Sequence, residues 1–363
     1  MKKRMCILLA LAMMLGLNGC GSAEVEQEEE VVETVSPEVV PEPEPEPEPE
    51  VVIPEIANPL TGLEMEADAL YNRPIAVMLN NHQVAMPQLG VSQADIIYEV
   101  PAEGGITRML AVFQSVEDVG NLGSIRSSRH YYIELALGLD ALYVHAGGSP
   151  QAYADLATYD VDNMDGVNGG SDAAIFWRDA DRRATAGYEH SMLTSGEAIL
   201  EYLDGGRYET VRDEVVDSGL TFTYEPDFLG ESATDISVKF SSYKTGTFTY
   251  DEDAVGYAVG QYGGDYIDGN TDETVVVTNV LVLEANIWTI AGDTEGRLDM
   301  NLSGYSGTGW YFYGGEAMEI TWDKADLYSP LTYTDADGVP LDLAAGHSYV
   351  CIVDNDSSTV SFA

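Results

Sequence analysis

The chain has 363 residues, with 62 acidic against 16 basic side chains and a formal net charge of −46. So acidic a chain lacks the basic stripe that nucleic acid requires and the polybasic patch that an anionic membrane surface attracts. Its three cysteines are too few for a disulfide framework.

Lys2, Lys3 and Arg4 precede an apolar run over residues 5–17 that is too short to span a bilayer. The run leads into Leu17, Asn18, Gly19 and Cys20, in the order of a lipobox. Residues 1–20 therefore read as a lipoprotein signal peptide, with Cys20 lipidated (by palmitate or a similar acyl chain) as the first mature residue. A plain secretory signal, the alternative, needs a small-x-small cleavage site, of which only Gly19 is present. The expected location is the extracytoplasmic face of the cell membrane, with a lipid anchor. Cys6 leaves with the signal, so Cys351 remains alone in the apolar run 349–353, where it reads as a small core hydrophobe. Residues 21–57 are rich in Glu, Val and Pro, with strict Pro-Glu alternation over 41–50. They cannot bury a core and are expected to be a disordered tether. At about 3.1 Å per residue it would reach roughly 100 Å.

The first folded domain is placed at 58–215, a mixed α/β (α+β) unit. Apolar runs at 74–79, 95–100, 107–113 and 141–145 predict strands. Asn80, Asn81, His82, Glu99 and Glu103 fall at strand ends or in adjoining loops, where sites on such sheets collect. The stretch 122–150 organises the rest. Ile133, Ala136 and Leu137 form a helical stripe, with Arg129 four residues before it and Arg126 three earlier, predicting a helix of about 13 residues. A tight turn then leads to a strand ending at His145, followed by Gly147, Gly148, the N-cap Ser149 and Pro150. The helix must return antiparallel to the strand, which brings its arginine end over His145 and Gly148. Cations at helix N-termini oppose the macrodipole, so Arg126 and Arg129 invite an anion. The alternative is that they pair with Glu99 or Glu103. Between Lys3 and Lys239 every cation is arginine, including Arg108, Arg178 and Arg212. This suits bidentate capture of carboxylate or phosphate, although compositional bias of the source explains it equally.

The loop 160–172 is rich in Asp, Asn and Gly, but Val161 stands where an EF-hand would place its first ligand. It reads as a loop using Asx turns, and no metal or cofactor is expected. A capping box at 194–197 opens a helix over 198–203. From about Thr221 short alternating strands begin, at 236–241, 247–251, 255–261, 274–283, 297–302, 310–313, 317–322 and 348–353. They make 216–363 a β-rich domain, with turns at Gly314-Gly315 and Asp337-Gly338. Two separable units are predicted, divided between 206 and 221; otherwise the β-rich part extends the first sheet. Trp288, Trp310, Tyr311, Phe312, Tyr313 and Trp322 read either as strand core or as a carbohydrate-stacking face. The S-x-x-K at 241–244 and K-T-G at 244–246 share Lys244 across one turn, so they cannot play their separate parts in a penicillin-binding fold.

Several stretches together resemble the YerB-like lipoproteins: 58–62 (NPLTG), 73–82 (RPIAVMLNNH), 94–100 (ADIIYEV), 103–108 (EGGITR), 123–129 (GSIRSSR) and 143–150 (YVHAGGSP). The likeness covers nearly all of the first domain and is looser in the second. Near His190 this chain reads AGYEHS, where the family pattern looks more like Ala-Pro-His-Asn. The resemblance implies a bacterial cell-surface lipoprotein and no particular activity. The leading expectation is a non-enzymatic envelope lipoprotein that binds an anionic ligand, glycan or envelope protein through its first domain. The residues expected to serve it are Asn80, Asn81, His82, Glu99, Glu103, Arg108, Arg126, Arg129, His145, Gly147, Gly148 and His190. The alternatives are a hydrolase or transferase using His145 or His82 with Glu99 or Glu103, and a transporter's solute-binding lipoprotein, although two similar lobes are not apparent.

Overall fold

A computed structural model describes residues 52–226 and 230–363. The signal peptide, Cys20 and the Pro-Glu run lie outside the described residues. Packing reaches slightly before the expected boundary at 58: Met65 N–H donates to Ile56 O, and Ala57 bridges Glu64.

The first strands are β1 (Ile75–Asn81), β2 (Ile96–Pro101) and β3 (Thr107–Phe113), then helix α1 (His130–Gly138), β4 (Leu142–His145), α2 (Pro150–Thr158), β5 (Asn163–Asp165) and α3 (Gly196–Leu203). The later strands are β6 (Asp235–Lys239), β7 (Thr245–Asp251), β8 (Gly256–Gln261), β9 (Asn279–Ala285), β10 (Tyr305–Tyr313), β11 (Glu316–Lys324), β12 (Ser348–Asp354) and β13 (Thr359–Phe362). One large sheet has the order β11-β10-β9-β12-β2-β3-β1-β4-β5, and β8-β7-β6-β13 form a second. In the large sheet β9, β12 and β2 are mutually parallel, as are β1, β4 and β5, with β3 antiparallel between the two groups.

Strand alternation sorts the core onto two faces. Ala76, Met78, Tyr98 and Leu110 pack against Tyr132 and Ile133 of α1 and Leu156 of α2. Val77, Leu79, Ile97 and Met109 join a core that includes Phe248, Val259 and Ile236 of the second sheet and Ile199 of α3. This layering explains why the central strands read as continuous apolar runs, since each is buried on both sides.

Three local expectations need correction. Helix α1 has nine residues and begins at His130, so Arg129 occupies its N-cap position rather than its first turn. The cap of α3 is Ser195, whose hydroxyl accepts from Ala198 N–H at 3.1 Å. The change of pattern near 215 is not a break in structure: β12 pairs with β2 through Ile96 and Ser348, so the C-terminal strands extend the first sheet. Of the aromatic set, Tyr311, Phe312 and Trp322 are core, while Trp288 stands 39 % exposed.

Candidate functional site

The expected site residues gather at the carboxyl ends of the parallel strands, but in separate environments. Glu99 is fully buried, in an ion pair with Lys244 at 2.8 Å. Its oxygens also accept from Asn81 at 2.9 Å and from the hydroxyls of Thr107 and Tyr349. Glu99 and Asn81 are therefore not ligand-facing as expected; they join the first sheet to β7. The cause is alternation: Ile97 and Glu99 point to the same face, toward the second sheet.

Glu103 lies between two arginines. Arg108 donates to it at 2.7 Å, and the Arg129 guanidinium engages both of its oxygens. Burial alone would raise the Glu103 carboxyl, but Arg108 and Arg129 outweigh it and hold it down at about 2. Burial and the neighbouring Arg129 bring Arg108 down to about 10, so one carboxylate does not fully offset two buried cations. Arg129 thus follows the alternative stated for it, pairing with Glu103, and is not available to an anion. Arg108 likewise faces inward, donating also to Ser127 O at 2.5 Å.

His145 is also enclosed. Its Nδ1 lies 2.8 Å from Gly147 O, its Nε2 lies 3.1 Å from Asn163 Oδ1, and its ring stacks on Tyr143. It meets no open space, which removes the geometry a general base needs. Gly147 has φ +79°, a turn that L side chains rarely adopt. That turn aims its N–H at Asp165 Oδ1, 2.8 Å away. Asp165 also accepts from Val167 N–H at 2.9 Å and Tyr153 OH at 2.8 Å, so the acidic loop's carboxylate is engaged as an Asx-type brace.

Arg126 differs. Its backbone runs across the strand ends, donating to Met78 O at 3.0 Å and accepting from Ala146 N–H at 3.0 Å. Its side chain lines a cavity of about 340 Å³ with Arg178, Gly147, Gly148, Tyr153 and Asn168. Helix α2 begins beside it, with Ser149 capping Ala152 N–H at 3.0 Å and Pro150 in the first turn. Arg126 donates to Glu189 O at 2.9 Å, but the Glu189 carboxylate is 3.7 Å away and its side chain is 74 % exposed. Arg178 donates to Tyr188 O at 2.7 Å and lies over that ring at 3.9 Å. The Nε atoms of Arg126 and Arg178 are both buried without a hydrogen-bond partner among the described residues. Burial is the main cause that lowers the Arg126 pKa; Glu189 and Glu103 oppose the shift, while Arg129 and Arg178 add to it.

His82 and His190 flank Arg126, with ring centroids 5.3 Å apart. The hydrogen bonds fix their tautomers. Val84 N–H donates to His82 Nδ1, so the proton of the neutral ring sits on Nε2. His82 N–H donates to Asn80 Oδ1, which orients the Asn80 amide so that its Nδ2 donates to His190 Nδ1 at 2.8 Å. Burial first, then Arg126, lowers both histidines. Neither is hydrogen-bonded to a carboxylate, so neither forms a histidine–carboxylate dyad beside Arg126; a His130–Asp299 pair, with Nε2 2.8 Å from Oδ1, lies elsewhere, at the start of α1. Asn80, 1 % exposed, serves as a spacer rather than a ligand contact.

Of the residues named from the sequence, Arg126, Gly147 and Gly148 line this cavity, next to the α2 N-terminus. Sequence reading did not single out Arg178, Tyr153 or Asn168. Arg178 was visible only as one of the arginines of the lysine-free region; its approach to Arg126 comes through a strand pairing, Arg178 with Met192, that leaves no local signature.

Residues 60–209 match the model of the N-terminal domain of a protein family of unknown function, DUF3048, and residues 236–350 match that of its C-terminal domain. A Bacillus subtilis (strain 168) protein named "Putative lipoprotein YerB" is 32 % identical over 308 residues, covering 84 % of this chain and 88 % of that one. The crystal structure of YerB protein from Bacillus subtilis superposes with a TM-score of 0.73 at 31 % identity, covering 85 % of this chain and all of that one.

Proposed function

We propose, from the premise that the chain belongs to the DUF3048 family of proteins of unknown function, that it is an envelope lipoprotein that captures an anionic group in the cavity at Arg126 and Arg178. Lipid on Cys20 holds it at the extracytoplasmic face of the membrane, and the acidic, Pro-rich segment spaces the folded part away from the bilayer. The observation that carries the binding reading is the pair of buried, unpartnered Nε atoms beside an exposed carboxylate. Buried cationic donors without partners are costly, and an oxyanion offers the acceptors that would satisfy them. The helix α2 N-terminus adds favourable potential at the same place. Binding is favoured over hydrolysis because His145 is enclosed, Glu99 is buried against Lys244, and Glu103 is engaged by two arginines.

Pyrophosphate is a suitable probe of this cavity. Calorimetric titration should show it binding the wild type and weakening as salt is raised. The Arg126→Gln and Arg178→Gln variants should each weaken it at least tenfold, about 1.4 kcal/mol. Equal affinity in wild type and both variants would refute the cavity as its site.

The anchor is tested separately. Metabolic labelling with a palmitate analogue should mark the wild type and leave a Cys20→Ser variant unlabelled. Undiminished label in that variant would rule out Cys20 as the lipid attachment.

A further inference from the structure

A second cavity, of about 310 Å³, lies outside the carboxyl ends of the adjacent parallel strands β9, β12 and β2. Ligands of open sheets with parallel strands gather at such a crest, and the volume falls at the small end of the usual range of ligand pockets, about 300–1,000 Å³. The chemistry here differs from that at Arg126. Trp288 forms one wall, Gly104 and Gly105 form another, and Thr289, Asp354 and Ser357 supply polar groups; no lysine or arginine lines it.

Trp288 sits on a short hairpin strand, Ile287–Thr289, directly after β9. It is 39 % exposed, makes no ring contact and has no hydrogen bond to its indole N–H among the described residues. A large aromatic left open beside a cleft, with its polar edge unused, is available for stacking. Gly104 and Gly105 both have φ +76°, and a Cβ on Gly104 would point into empty space. The backbone on that wall is therefore open to close approach. On the third wall, Ser357 Oγ donates to Asp354 Oδ2, while Oδ1 has only a 3.5 Å contact with Asp356 N–H. That leaves Oδ1 with spare acceptor capacity on a residue that lines the cleft.

An apolar aromatic face, a carboxyl acceptor and small hydroxyls in one cleft match the two sides of a sugar ring, its C–H face and its hydroxyl donors. The carboxylate, with no cation beside it, disfavours an anionic ligand. We infer that this cleft is a binding site for a neutral saccharide of mono- to trisaccharide size, stacked on Trp288 and hydrogen-bonded to Asp354. The inference is independent of the Arg126 reading, since the two cavities share no lining residue.

The test is saturation-transfer NMR and titration of the full-length protein in detergent with two neutral trisaccharides, chitotriose and maltotriose. At least one should receive saturation. Trp288→Ala should weaken it at least tenfold, Trp288→Phe should retain part of the affinity, and Arg126→Gln should leave it unchanged. Thermal unfolding of the Trp288 variants establishes that they fold, and the Phe variant carries the test if the Ala variant does not. No transfer to either sugar would overturn the proposal, as would affinity unaltered in both Trp288 variants. Binding lost with Arg126→Gln but kept with Trp288→Phe and Trp288→Ala would place the sugar elsewhere and likewise overturn it.

Discussion

Replacing Lys244 by methionine should destabilise the folded protein by about 3–5 kcal/mol in urea unfolding at neutral pH, the usual cost of leaving a buried charge without its partner. Lys244 and Glu99 are both fully buried and 2.8 Å apart. Methionine nearly preserves the volume, so the loss comes from the charge rather than from a cavity. The remaining donors to Glu99, from Asn81, Thr107, Gln261 and Tyr349, are neutral and cannot replace a cation. In the variant Glu99 avoids the penalty by taking a proton, so the loss should shrink as pH is lowered. A change below about 1 kcal/mol, with no dependence on pH, would mean that the pair is not closed as described. The expected size of the effect also bears on architecture, because this pair ties the first sheet to the strands that follow residue 235.

The second large effect is expected at Glu103, which faces Arg108 and Arg129, themselves 2 % and 5 % exposed. Glu103→Gln leaves two guanidinium groups adjacent and buried. A loss near the lower end of about 3–5 kcal/mol is expected, since the Glu103 side chain is itself 23 % exposed and solvent screens part of the field. The acid profile identifies the cause. The Glu103 carboxyl is held at about 2 in the fold, against about 4.3 in an unfolded chain. A depressed folded-state value gives stability that is fully present above the unfolded value and lost as pH falls through the folded one. Wild-type stability should therefore fall more steeply from about pH 4.3 to pH 2 than that of the Gln variant. Parallel profiles would show that Glu103 is not paired as found.

Much of the fold was legible because its signals are local. Continuous apolar runs marked the central strands, alternation marked the later ones, and Ser149 with Pro150 marked the start of α2. The pairing of β12 with β2 was not legible, since it joins Ile96 to Ser348 and no neighbouring residue records it. Glu99 shows the division clearly. A glutamate two residues after Ile97 on a buried strand signals an inward-facing charge, but its partner Lys244 lies far along the chain, in the turn that leads into β7 of the second sheet. The candidate site was legible in part for the same reason. The 122–150 stretch brought Arg126 and the α2 N-terminus together by chain geometry alone, whereas the separation of Arg126 from Arg129 depended on which side of α1 received Glu103. Helix α1 starts at His130, one residue after Arg129, and that register turns Arg129 toward Glu103 while Arg126 stays over the strand ends.

The contrast between these two arginines is the most direct test of the account. Urea unfolding of wild type, Arg126→Gln and Arg129→Gln, each with and without pyrophosphate, reads both roles at once. The account predicts that Arg126→Gln changes stability by less than about 1 kcal/mol and loses the stabilisation that pyrophosphate gives the wild type. It predicts that Arg129→Gln costs several kcal/mol, on the order of 3 or more. A comparable loss of several kcal/mol from Arg126→Gln, or pyrophosphate stabilisation undiminished in that variant, would contradict it.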